Sequence, residues 1–189
     1  ILTQTGSLAV EGCFIGIDPS GTLARPNNIG VYADFNTPTS GMRVGGNTPS
    51  LRNIISGNNT GIYFQSGSFH KVQGNFLGTD RNGTANIANG TGVLVQGSED
   101  DLIGGTTVQE RNIIIAASRG VFVGLAARTR IQGNFIGTDV TGTVGLGNSF
   151  TTGIVLDSSD SGTAIGGLTS TPGMPPGNLI SGGNGTGIA

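Results

Sequence analysis

Acid–base chemistry needs histidine, lysine, arginine or carboxylate side chains brought together on one surface, and this sequence is poor in all of them. Its one histidine, His70, is followed by its one lysine, Lys71. An acidic run, Glu99-Asp100-Asp101, comes one repeat later, and Arg128 and Arg130 one repeat after that. Coiled with that repeat, the three groups would gather on one side, where they could serve as acid, base and anion binder. Solvated loop charges account for the same facts, and no pair recurs with a catalytic spacing. No catalytic residue is therefore assigned, and the chain is expected not to be an enzyme.

Asp18, Asp80 and Asp139 recur in one register, as a column of carboxylates for Ca²⁺ would. Each, however, stands just before a Gly-Thr pair (Gly21-Thr22, Gly83-Thr84, Gly142-Thr143), where an Asp side chain caps the N–H groups of its own turn. Turn-forming residues binding no metal are the expectation, and no cofactor is implied. Asn53, Asn112 and Asn178 each precede two aliphatic residues, a place where stacked amides hydrogen-bond along a column and satisfy turn carbonyls. Asn86 is a candidate to extend that ladder. Cys13 stands where sister blocks have Asn75 and Asn134, and reads as a small buried residue.

These residues must be positioned by a repeat. Gly30-Val31, Gly61-Ile62, Gly92-Val93, Gly120-Val121, Gly153-Ile154 and Gly187-Ile188 recur at roughly 31 residues, and two kinds of block alternate between them. Apolar runs are short, rich in Val, Ile and Phe, and bounded by Gly, Asn, Asp, Ser or Thr, as strands and turns are. No helical stripe is present, and 36 glycines in 189 residues argue against helices. About six coils of about 31 residues, each with three short strands, predict a right-handed parallel β-helix in one domain over 1–189. Val31, Ile62, Val93, Val121 and Ile154 then point inward. Period-2 alternation turns Tyr32, Tyr63, Leu94, Phe122 and Val155 outward, an apolar stripe beside a mainly polar column of Asp34, Gln65, Gln96, Gly124 and Asp157. Such a stripe either strengthens the strands or contacts another chain or a sugar ring.

The blocks Gly74-Asn75-Phe76-Leu77-Gly78-Thr79-Asp80 and Gly133-Asn134-Phe135-Ile136-Gly137-Thr138-Asp139, with Ile103-Gly104-Gly105-Thr106-Thr107 and Arg52-Asn53-Ile54-Ile55-Ser56-Gly57-Asn58, resemble the pectin-lyase-like β-helix repeats of bacterial surface and secreted proteins. That resemblance implies the fold, and admits polysaccharide lyases, epimerases and tailspike-like depolymerases besides structural modules. Coil lengths here are near uniform and show no long inserted loops of the kind that would favour an enzyme; the longest departure, Leu168 to Gly177, holds no acid–base residue.

A net charge of −2 with 11% charged residues offers no basic patch for phosphates, so nucleic acid is not expected. No apolar stretch reaches the ~20 residues of a membrane span. One cysteine permits no disulfide within the chain. The composition suits an extracellular or cell-surface location. The repeat places Ile1 in register with Tyr63, and Ala189 at the same phase of the coil, so the chain reads as a segment of a longer β-helix or a unit meeting copies of itself end to end. A structural or adhesive module is the leading expectation, with other copies, the rest of a longer chain and glycans as candidate partners.

Overall fold

The computed structural model describes residues 8–34, 40–146 and 152–189; Ile1 lies outside them. The chain winds through three strands per rung. The first rung holds β1 (Ala9–Val10), β2 (Phe14–Ile15) and β3 (Ile29–Ala33); the second β4 (Arg43–Gly45), β5 (Ile54–Ile55) and β6 (Thr60–Phe64). Then come β7 (Lys71–Gln73), β8 (Phe76–Leu77) and β9 (Asn89–Gln96), followed by β10 (Leu102–Gly104), β11 (Ile113–Ile114) and β12 (Ala116–Gly124). The last rungs are β13 (Arg130–Gln132), β14 (Phe135–Ile136) and β15 (Thr152–Leu156), and β16 (Ala164–Ile165), β17 (Leu179–Ile180) and β18 (Thr186–Ile188). Each strand pairs in parallel with its counterpart one rung on, giving three six-stranded sheets headed by β1, β2 and β3. We call them the first, second and third sheets.

This is an all-β parallel solenoid of about five turns, about 31 residues per turn. The six rungs are joined by five steps, so the expected six coils are five full turns, roughly 24 Å at the usual strand spacing. Val31, Ile62, Val93, Val121 and Ile154 lie in register down the third sheet and are 0–7% exposed. They meet Val44, Val72, Ile103 and Ile131 of the first sheet and Ile55, Leu77, Ile114 and Ile136 of the second in one core. Fully burying each such side chain is worth about 1.5–3 kcal/mol. The glycine before each inward residue has a steric cause: a Cβ on Gly61 would stand 2.6 Å from the carbonyl oxygen of Gly92, and one on Gly92 2.5 Å from that of Gly120.

A second apolar layer lies outside the tube. Phe76, Ile113, Phe135 and Ile54 point out from the second sheet, yet are 1–7% exposed, packed with Ile17 and Ile87. Their cover is three hairpins, closed by the antiparallel pairs Ile17 with Ala24, Thr79 with Asn86, and Thr138 with Gly145. The tip glycines press on the rings: a Cβ on Gly83 would come 2.9 Å from the Phe76 ring, and one on Gly142 2.7 Å from that of Phe135. Hairpins occur on alternate turns but touch, because Arg81 N donates to Gly21 O at 2.9 Å and Val140 N to Gly83 O at 2.9 Å. The two arms of each hairpin fill the height of two turns, and the intervening turn joins in through Gly57 N to Ile87 O at 2.9 Å.

Candidate functional site

The residues singled out for acid–base chemistry do not form one patch. His70 and Asp101 are fully buried at the corner between the third and first sheets. His70 Nδ1 accepts the Met42 N–H at 3.1 Å, so the proton sits on Nε2, 3.0 Å from Ser66 O; the ring packs on Phe64 with centroids 4.4 Å apart. Asp101 Oδ1 accepts the His70 N–H at 2.9 Å. Asp101 Oδ2, Ser98 Oγ and Thr129 Oγ1 are buried without a hydrogen-bond partner. Burial pushes the Asp101 carboxyl above the ordinary carboxylate range, against the pull of the His70 backbone N–H. Neither side chain reaches solvent to exchange a proton with a substrate.

Their immediate neighbours face outward. Phe69, Asp100 and Arg128 stack in the left-handed region at φ 56–58°, a conformation costing of order 1–3 kcal/mol for such residues. Arg128 Nε and Nη2 donate to Asp100 at 2.8 and 2.7 Å, and Nη2 also to Glu99 at 2.7 Å. The Arg128 guanidinium holds the Asp100 carboxyl below its usual range. Lys71 and Arg130 stand on the outer face of the first sheet, in register with Leu102 between them. The sequence thus places these groups in adjacent turns, but backbone direction divides them into a buried pair, an exposed ion-paired triad and two solvated cations.

Asp18, Asp80 and Asp139 anchor the hairpins. Each Oδ1 accepts two backbone N–H groups: Thr22 and Leu23 at 3.0 and 2.9 Å, Thr84 and Ala85 at 2.8 and 2.9 Å, Thr143 and Val144 at 3.3 and 3.2 Å. All three carboxyls are lowered. For Asp18 the Ser20 hydroxyl bond leads; for Asp80 and Asp139 burial opposes, and the turn hydrogen bonds prevail. Among the described residues no cluster of three or more His, Cys, Asp or Glu could hold a metal.

Asn53, Asn112 and Asn178 stand in one column, with Asn75 and Asn134 interleaved. Each Oδ1 accepts both the backbone N–H and the Nδ2–H of the preceding rung: Asn53 to Asn75, Asn75 to Asn112, Asn112 to Asn134 and Asn134 to Asn178. Asn86 is not in this column; its Nδ2 donates to Leu146 O in the next hairpin at 2.9 Å. Cys13 heads the ladder through its N–H to Asn53 Oδ1 at 2.9 Å and is exposed, not buried, its thiol turned to Glu11 O at 3.2 Å. A second ladder, Asn27 to Asn58 to Asn89, runs between the second and third sheets and ends where Ala116 replaces asparagine. Its members each stand three residues before the glycine of a Gly-aliphatic pair, Gly30, Gly61 and Gly92, a constant spacing that could have found them in the sequence.

Tyr32, Tyr63, Leu94, Phe122 and Val155 stack in register on the outer face of the third sheet. Tyr32 is exposed and the others half-buried. The two tyrosine rings stack at 5.2 Å, and Arg119 covers Phe122 at 5.0 Å. Tyr63 OH donates to Gln96 Oε1 at 3.0 Å, and Tyr32 OH to Gln65 Oε1. The arrangement offers aromatic faces beside a row of amides. Comparison with known proteins finds no family model, no curated protein and no solved structure that matches the chain; the geometry alone therefore defines its class, a parallel β-solenoid.

Proposed function

We propose that this chain is a non-enzymatic structural or adhesive module of an extracellular protein, one that works by its shape and repeat. One observation carries the reading: the one histidine and most of the carboxylates are held by the stack, its hairpins or ion pairs. His70 and Asp101 are sealed in a corner, Asp18, Asp80 and Asp139 hold hairpins, and Arg128 is tied to Glu99 and Asp100. The partners in this reading are other copies, met laterally through the stripe from Tyr32 to Val155 or edge to edge through the backbone of outer strands. A second reading, a glycan-binding module, is favoured by the stacked Tyr32 and Tyr63 rings beside Gln65 and Gln96.

An activity screen on uronate and neutral polysaccharides, combined with mass analysis and electron microscopy of the chain, tests the proposal. No turnover and concentration-dependent assembly are expected. Turnover abolished by Asp101→Asn or His70→Gln overturns the non-enzymatic reading. A monomer at high concentration that forms no fibres removes the self-association, and saturable glycan binding lost in Tyr63→Ala selects the second reading.

A further inference from the structure

Between the first two hairpins and the short 3-10 turn Pro49–Leu51 lies an open groove of about 400 Å³, lined by Phe14, Pro19, Pro49, Arg52, Ile54 and Arg81. Two guanidinium groups border it and no carboxylate does. Arg52 lies over the Phe76 ring at 4.1 Å and donates its Nε–H to Gly74 O at 3.0 Å. Its terminal nitrogens, and the whole Arg81 guanidinium, make no ion pair among the described residues, whereas Arg43 is paired with Glu11 and Arg128 with Glu99 and Asp100. Asp18, the acid next to Pro19, has its carboxylate turned into its own hairpin. Partial burial lowers the Arg52 pKa, the mark of a cation short of solvation. In a chain of net charge −2, two uncompensated cations on one groove are a local reversal of sign.

The floor is apolar. Phe14 is 45% exposed, against 4% for Phe76, its counterpart two turns on. The repeat supplies an internal control, since Asp18-Pro19, Asp80-Arg81 and Asp139-Val140 occupy one position. The next pair of turns therefore has Arg81 where the groove has Pro19, and Val140 where it has Arg81. The second cation and the open floor belong to the first pair alone.

We propose that this groove binds a small organic anion, a carboxylate borne on an apolar ring. The forks of Arg81 and Arg52 take the carboxylate, whose planar oxygens match guanidinium geometry, and Phe14, Pro19 and Pro49 take the ring. The test is titration of the full chain with benzoate, followed by the NMR amide shifts of Gly21, Ile54 and Arg81. Benzyl alcohol serves as the neutral isostere and acetate as the anion without a ring. Saturable shifts with benzoate, weaker binding of acetate and none of benzyl alcohol are expected. Arg81→Ala, which keeps the backbone bond to Gly21, should weaken benzoate by about twofold to fivefold, the scale of one partly exposed charge pair, and added salt should weaken it too. Unsaturable shifts, equal binding by Arg81→Ala, or equal binding of benzyl alcohol overturns the site. Acetate binding as tightly as benzoate overturns the part given to the ring.

Discussion

A carboxyl sealed into the corner of a tube and a carboxyl sealed into a turn respond to acid in opposite ways. Asp101 has a folded pKa above its unfolded one, so the native state holds the proton more tightly than the unfolded chain. Its contribution is full below the ordinary carboxylate pKa of about 3.9 and is lost as pH rises through the raised value. Asp101→Asn keeps the acceptor for His70 N–H and adds a donor toward Ser98 and Thr129. Denaturant unfolding should show this variant more stable than the parent at pH 7, with the gap closing toward pH 4. Asp18, Asp80 and Asp139 are lowered, so their contribution is present above the ordinary value and lost as pH falls below it. Asp80→Ala removes two hydrogen bonds to an ionised acceptor and should cost about 2–4 kcal/mol at pH 7. Its loss of stability in acid should also be shallower than the parent's.

The Asn ladder sets the energetics of the elements it joins. Asn112→Ala takes the acceptor from the buried Asn75 N–H and one donor from the Val72 carbonyl, and should cost about 1–3 kcal/mol by chemical denaturation, the scale of one abandoned buried group. Cys13→Asn extends the same column by one rung: the Cys13 thiol already points at Glu11 O, as Asn75 Nδ2 points at Gln73 O at 3.0 Å. A gain of about 0.5–1.5 kcal/mol is expected in the same measurement. Gly83→Ala should destabilise by more than about 1 kcal/mol, since its φ of +73° disfavours a side chain and the Phe76 ring occupies the space. The inward column from Val31 to Ile154 was legible because one Gly-aliphatic pair marks every rung. The outer layer was not. In a strand of two residues such as Phe76-Leu77 both side chains are buried, one by the tube and one by a hairpin, so alternation carries no signal. The buried corner was equally hidden, because Met42, His70, Asp101 and Thr129 share a place but no chemistry.

Across the whole molecule, each strand pairs only with its counterparts one turn away, so the stability of the tube approximates a sum of turns and interfaces. Native-state hydrogen exchange should be slowest in β6, β9 and β12, whose inward side chains are 0% exposed, and fastest in β18, all of whose residues are exposed. Equal protection in β9 and β18 would contradict that picture. The hairpins add a longer period to this short-range order, because each rests on the one two turns away. Growth and loss of such a chain are therefore quantised. Excising 75–133 joins Gly74 to Asn134, brings like hairpin to like hairpin, and should leave a shorter folded rod. Removing a single turn sets a hairpin over a turn that has no place for it. In the history of a lineage, duplications by unequal crossing-over would survive in steps of two turns, so relatives should differ in length by whole pairs and keep their parity.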